Sequence, residues 1–253
     1  MSVLDVEDAF LRRRREVPGH SSQRTFQAGL RLFLRFCAAR RWIQSDLVSA
    51  VPSIRCYRLS TVPRAVSEAD IPRLFAALER PSSTKGKRDR AVLLLLVTYG
   101  VRRGQVADLR LSDLDWRERR VLFRAHKGGR TVRHALTPAV AEALAEYLRE
   151  RPPEVETEHV FLHSSPRKLV GLNPQVVTAL VVDLFERAEI TSRPRGPHAM
   201  RHAFAKRVLA AGKSLKTVSD LLGHRALDST AVYAKVDVDR LREAPLEWPE
   251  VLR

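Results

Sequence analysis

Cysteine is nearly absent from this chain: Cys37 and Cys56 are the only two in 253 residues. Neither has a Cys or His neighbour at metal-ligand spacing, which excludes a zinc module and a disulfide framework as the organising principle. Thiols in a reducing compartment fit that pattern, and no metal site is expected. Long apolar runs are missing too. No stretch reaches the roughly 18 residues of a membrane span. The start, MSVLDVEDAFLRRRRE, places acids ahead of its basic run and has no apolar h-region. A cytoplasmic protein with no membrane association is expected. Internal repeats and low-complexity segments are also lacking. Acidic residues are scarce, at 29 against 45 basic ones, so the formal net charge is +16. That balance favours a polyanionic partner, with nucleic acid first among the candidates. Lysine is scarce as well: only eight of the 45 basic residues are Lys, which leaves 37 arginines, whose planar fork suits phosphate.

What is present reads as a mainly α protein with a small antiparallel β-sheet, an α+β class. In the N-terminal part, Phe26, Leu30, Phe33, Leu34 and Cys37 recur at three- and four-residue steps and predict a helix over Ser22 to Trp42. Its other face carries Arg24, Arg31 and Arg35. From Val51 to Arg64 two prolines and the lack of any helical period predict an extended linker. The expected organisation is therefore a short helical domain with linker over residues 1–60, and a larger domain over 61–253. Ser67 and Asp70 form a capping-box pattern that opens a helix with Ile71, Leu74, Phe75 and Leu78 as its stripe. The segment Asp89 to Tyr99, apolar on nearly every side, predicts a buried central helix. The runs Arg120 to Ala125 and Thr131 to Leu136 flank HKGGR, whose glycines permit a tight reversal, so a β-hairpin with Lys127 at its tip is expected. Helices follow over Pro138 to Arg149, Pro174 to Ala188, and His198 to Ala211. Gly212 is the left-handed cap of the last. Ser214 caps a further helix that runs to Gly223, and Asp228 to Ala234 has room for one or two turns carrying Tyr233.

The residues with chemical potential lie along this second domain. His198 and Arg201 share a face near a helix N-terminus, where backbone N–H groups add partial positive charge that favours phosphate. His224 and Tyr233 are nine residues apart, across a turn that Gly223 permits. Each alone reads as an ordinary surface or core residue. Their joint order is more specific: YGVRRGQVADLRLSDLDW, AHKGGRTVRHALT, HAMRH and LLGHRALDSTAVYAKV follow one another at plausible intervals.

In that combination the chain resembles the tyrosine recombinases, the phage-integrase class of DNA breaking and joining enzymes. The likeness covers about residues 67 to 240, and the helix from Ser22 to Trp42 more loosely resembles part of the class's core-binding domain. The resemblance implies a catalytic domain of that class behind a short, apparently truncated core-binding-like domain. It implies Arg102, Lys127, His198, Arg201, His224 and the nucleophile Tyr233 as the catalytic set, with Gln105 in support. Gln105 is a departure, because the class usually has Glu there, and the amide brings no charge to hold Arg102. The implied reaction is site-specific strand exchange through a 3′-phosphotyrosyl link, as in integration or transposition by a mobile element. It needs no metal, ATP or other cofactor. The implied partners are double-stranded DNA and further recombinase subunits, as homo- or hetero-oligomers (dimers or tetramers), with Val238, Leu241 and Trp248 as docking anchors. Backbone contacts are expected from Arg12, Arg13, Arg14, Arg15, Arg24, Arg31 and Arg35. The alternative is a non-catalytic or partner-dependent DNA-binding protein, since Ser214 to Tyr233 also reads as a helix-turn-helix. A relaxing topoisomerase or a resolvase of replicon dimers would share the same motifs.

Overall fold

The computed structural model describes residues 2–17, 19–43, 47–54, 65–78, 82–126, 128–152, 155–163, 170–191, 195–225, 230 and 232–233. The chain divides into two compact units, Met1–Ser60 and Thr61–Arg253.

The first unit holds α1 (Val3–Glu16) and α2 (His20–Ala39). Helix α1 was not anticipated. It starts at a capping box between Ser2 and Asp5, but it buries only Val6 and Phe10, so its apolar signal is thin. Helix α2 covers most of the expected span, with a different buried stripe. Leu34 and Cys37 are buried together with the polar Gln23 and Gln27, whereas Phe33 remains 53% exposed. The polar members explain the rotation. The Gln27 amide donates to the Pro52 carbonyl at 2.7 Å, and the Arg31 guanidinium donates to the Val51 carbonyl at 3.2 Å. These bonds tie α2 to the segment that delivers Leu47 and Val51 to a small core with Val6 and Leu34. Arg31 therefore holds the fold of this unit. Arg12 and Arg13 pair with Asp8 and Glu16, leaving Arg14, Arg15, Arg24 and Arg35 exposed with no ion pair among the described residues.

The second unit runs α3 (Asp70–Ala76), α4 (Thr84–Tyr99), α5 (Arg103–Ala107), a 3₁₀ turn, β1 (Leu114–Asp115), β2 (Arg120–Phe123), β3 (Val132–Ala135), α6 (Pro138–Leu148), α7 (Pro174–Arg187), α8 (Pro197–Ala210) and α9 (Leu215–Leu222). It is mainly helical with one three-stranded antiparallel sheet in the order β1-β2-β3. The hairpin pairs Arg120 with Ala135 and Phe123 with Val132, as the glycine-bearing HKGGR turn requires. Strand β1 has two residues, too few for any periodicity to show. Ser67 accepts from the Asp70 amide at 3.1 Å, although the helix proper begins only at Asp70. Helix α4 is the centre of the core: Ala91, Val92, Leu93, Leu95 and Leu96 are fully buried, and α6 and α8 pack along it. A second apolar cluster joins Phe204, Ala205 and Leu209 of α8 to Val218 and Leu222 of α9, and Tyr233 lies within it.

Helix α4 ends at Gly100, whose φ of +60° lets its amide bond back to the Leu96 carbonyl at 3.1 Å. A Cβ there would stand 2.8 Å from three atoms of Phe204. Glycine is therefore needed twice, for backbone conformation and for the approach of α8. Gly100→Ala is expected to destabilise the chain by about 2 kcal/mol or more, from the left-handed conformation and the overpacking together. Urea denaturation of the variant and wild type checks this, and equal midpoints would refute it.

Candidate active site

Arg102 is the residue just before α5, extended at φ −74° and ψ 147°, so its side chain leaves the helix start rather than lying along it. Its backbone N–H donates to the Gln105 side-chain oxygen at 3.1 Å, and the Gln105 amide nitrogen donates to the Arg124 carbonyl at 3.1 Å. Gln105 thus supports Arg102 through the main chain, not through its guanidinium. The amide also does what a carboxylate could not, because it both accepts and donates. One guanidinium nitrogen of Arg102, Nη1, is buried and has no hydrogen-bond partner among the described residues.

Arg201 lies on α8 and is 4% exposed. Its Nη1 donates to the Gly100 carbonyl at 2.7 Å and its Nη2 to the Leu222 carbonyl at 2.8 Å. Burial, with the cation of Arg102 nearby, pushes Arg201 down to about 9, so it remains charged at neutral pH. Arg102 is lowered too, by burial, with Tyr233 opposing.

Tyr233 is 2% exposed. Burial raises its phenol pKa, and the charges of Arg201 and Arg102 oppose the rise. Its hydroxyl is 2.8 Å from Nδ1 of His202, with the two rings edge-on at 5.5 Å between centroids. His224 is held by Thr230, whose hydroxyl is 2.7 Å from its Nδ1, and the Thr230 carbonyl accepts the Tyr233 amide at 2.9 Å. The histidine therefore fixes the short turn that carries the tyrosine. Where Nδ1 accepts the Thr230 proton, Nε2 is left as a donor. Burial first, then the nearby guanidiniums, push His224 down to about 4. His202 also falls to about 4, from burial, then His198 and Arg201.

Arg102, His198 and Arg201 line a cleft of about 230 Å³ together with Arg103, His126 and Arg195. Its remaining walls are Val101, Gly104, Thr178 and Pro197, so no carboxylate is among them. Asp108 reaches His126 from the edge at 3.4 Å. The imidazole of His126 rests directly against Gly104, where a Cβ would stand 2.5 Å from the ring. Lys127 lies outside the described residues, as do Val238, Leu241, Trp248 and residues 55–64 of the linker. The neighbours of Lys127 are in place: Gly128 has φ +74°, the Gly129 amide donates to the His126 carbonyl at 3.1 Å, and the Arg130 amide donates to the Gly223 carbonyl at 3.0 Å. The hairpin tip is thereby docked on the end of α9, beside Arg102. Arg103, His126, Arg195 and His202 were not singled out from the sequence. Each stands beside a motif, and proximity to a motif does not say which side of a turn a side chain takes. Among the described residues no group of three or more His, Cys, Asp or Glu side chains is arranged to hold a metal ion.

A mainly helical frame that gathers four guanidiniums and two imidazoles around one cleft, with a buried phenol behind them, defines a protein built to hold an anion. Residues 64–240 match the phage integrase family, and the chain belongs to that family. It is 36% identical over 220 residues to the integrase/recombinase y4rA of Sinorhizobium fredii (strain NBRC 101917 / NGR234), covering 87% of this chain and 53% of that protein. It is 31% identical over 225 residues to tyrosine recombinase XerC of Oceanobacillus iheyensis, covering 85% of this chain and 70% of XerC. The chain thus spans about half the length of y4rA. Among solved structures, the fold matches XerA recombinase with a TM-score of 0.60 at 23% identity, over 85% of this chain and 81% of that one. It matches the integrase of transposon Tn1549 in complex with circular intermediate DNA with a TM-score of 0.64 at 17% identity, over 97% of this chain and 85% of that one.

Two outcomes follow from the geometry. The folded chain keeps His202 and His224 neutral down to about pH 4, whereas their ordinary value is 6.5. Unfolding takes up protons between those values, so stability falls as pH drops through that window. The urea midpoint is expected to decrease from pH 7 to pH 5, and to decrease less in His224→Gln; an equal decrease in both removes His224 as a source. Gln105→Glu sets a carboxylate against the Arg124 carbonyl and removes a buried donor. It should cost about 1–3 kcal/mol of stability at pH 7, and a variant as stable as wild type in urea would contradict this.

Proposed function

We propose that this chain is a site-specific DNA recombinase that breaks and rejoins strands through a covalent 3′-phosphotyrosyl intermediate on Tyr233. The observation that carries this reading is the convergence of Arg102, Arg201 and His198 on one cleft, with the Tyr233 phenol near enough to feel both guanidiniums. Family membership and the names of relatives support it. XerC is a tyrosine recombinase by name, and the Tn1549 integrase is a transposon enzyme seen on DNA. DNA integration or transposition by a mobile element is the process that these relatives suggest.

The chemistry is transesterification. The Tyr233 oxygen attacks the phosphorus as the bond to the 5′-oxygen breaks, so one phosphodiester is exchanged for another and no ATP is consumed. Negative charge grows on the non-bridging oxygens in the transition state. Arg102 brings an unpaired buried donor to that place, and Arg201 brings a cation fixed by two carbonyls. The Nε2 face of His224 adds a donor, Lys127 protonates the leaving 5′-oxygen, and His198 acts at the cleft wall as an acid/base group. Gln105 holds the start of α5 that aims Arg102. With guanidiniums supplying the charge stabilisation, the reaction proceeds without a metal.

The substrate is double-stranded DNA. Arg14, Arg15, Arg24 and Arg35 contact its backbone, with smaller contributions from the internally paired Arg12, Arg13 and Arg31, so binding weakens steeply with salt. Residues 1–60 serve as a core-binding-like unit and residues 61–253 as the catalytic one. Subunits assemble as dimers and tetramers on DNA in the cytoplasm, joined through Val238, Leu241 and Trp248.

A covalent trap tests this. The protein is incubated in EDTA with supercoiled DNA carrying the sequence that flanks its own gene, then quenched with SDS. Wild type is expected to give a protein–DNA adduct and Tyr233→Phe none. Binding without an adduct, on a nicked suicide duplex as well, would replace this reading with that of a non-catalytic DNA-binding protein.

A further inference from the structure

Helix α8 carries two imidazoles on one face, and one of them meets the tyrosine. His198 and His202 are four residues apart, so they lie one turn above the other, with ring centroids 6.4 Å apart. Between them along the chain is Arg201, anchored on the ends of α4 and α9. The His-x-x-Arg pattern ends at Arg201 and leaves His202 without a role. The geometry gives it one. Its Nδ1 is 2.8 Å from the Tyr233 hydroxyl, inside the range that proton transfer requires.

We propose that His202 accepts the phenol proton of Tyr233 during attack on the phosphodiester, the step that the sequence pattern would give to His198. This rests on the reading of Tyr233 as the nucleophile. The atoms balance as follows. The Oη–H bond of Tyr233 breaks as the bond from Oη to phosphorus forms, and the proton passes to Nδ1 of His202, whose Nε2 already carries its own. The 5′-oxygen leaves with the electron pair of its bond to phosphorus and takes a proton from the leaving-group donor. Rejoining runs the same transfers backwards, with His202 returning its proton to the departing phenol oxygen.

The surroundings of His202 suit a base that works only with substrate in place. Burial is the first cause of its low proton affinity, and the neighbouring His198 and Arg201 add to it. Tyr233 is the group it faces across the hydrogen bond, and Arg102 lies beyond, near Arg201. A phosphodiester held between Arg102 and Arg201 places negative charge beside those cations and offsets their contribution. The imidazole then gains proton affinity at the moment the phenol must lose its proton. Without DNA, burial and the nearby charge keep His202 neutral, while burial keeps the phenol protonated against the pull of Arg201 and Arg102, so the nucleophile rests uncharged in its apolar cluster.

The test uses the full chain and the nicked suicide duplex on which wild type forms its adduct, made once with ordinary scissile phosphate and once with sulfur replacing the bridging 5′-oxygen. Sulfur leaves without a proton, so it rescues loss of a leaving-group donor and not loss of a base. His202→Ala and His202→Asn are compared with wild type and Tyr233→Phe. Asn keeps a hydrogen-bonding atom near the phenol but cannot carry the proton, and it decides the matter should Ala fail to fold. Both variants are expected to cleave about 10²-fold or more slowly on either duplex. Their rates should rise with pH where the wild-type rate is flat, since the phenol must then ionise unaided. Cleavage by the Asn variant within about threefold of wild type, or rescue of either variant by sulfur, overturns the proposal while Tyr233 stands. An adduct from Tyr233→Phe, or none from wild type, removes the nucleophile reading and this inference with it.

Discussion

The geometry of the site depends on one buried cation. Arg201 is enclosed between the C-terminal ends of α4 and α9, and it donates to the carbonyls of Gly100 and Leu222. Withdrawing a guanidinium from water is costly unless its donors are met, and the last carbonyls of two helices meet them with partial negative charge that would otherwise be unpaired. The same bonds fix where the helices end. Gly100 and Gly223 both turn left-handed there, at φ +60° and +64°, and the Gly223 carbonyl then receives the Arg130 amide from the base of the hairpin tip. Removing Arg201 would therefore loosen α4, α9 and the hairpin together.

Arg102 shows the opposite balance. Its Nη1 is buried and unpartnered among the described residues, and a donor left so costs about 1–3 kcal/mol in a folded chain. Gly129 closes over it: a Cβ at that residue would stand 3.0 Å from the same nitrogen and 2.9 Å from the Gly223 carbonyl. The second glycine of HKGGR thus has a packing duty beyond the turn itself. One arginine is satisfied by the fold and holds it together. The other has a buried nitrogen that the described residues leave unsatisfied.

The sequence carried the helical frame well, because α4, α6, α7, α8 and α9 each combine an apolar pattern with a readable start or stop, such as Ser214 or Gly223 for α9. It carried α1 and β1 poorly, the one because two buried side chains make no stripe, the other because two residues make no period. The exposure of Phe33 was illegible for a different reason: Gln23 and Gln27 take buried positions only because nearby carbonyls accept their amides, a tertiary fact. In the site, the order of the motifs and the resemblance they carry brought Arg102, His198, Arg201, His224 and Tyr233 into view. It did not separate His198 from His202, since both lie within a turn of Arg201 and only the course of the chain after α9 decides which ring meets the phenol.

The charges of the site are arranged to be steady. Arg201 remains cationic up to about pH 9, and His202 and His224 remain neutral down to about pH 4, so these three groups hold one charge state across the whole neutral range. Burial is the shared first cause, and crowding of like charge adds to it: Arg102 depresses Arg201, and Arg201 depresses both imidazoles. An incoming phosphate relieves that crowding at every one of these groups at once. On the proposed mechanism, its binding energy comes from cations already in place, and protons move in the site only when the phenol reacts.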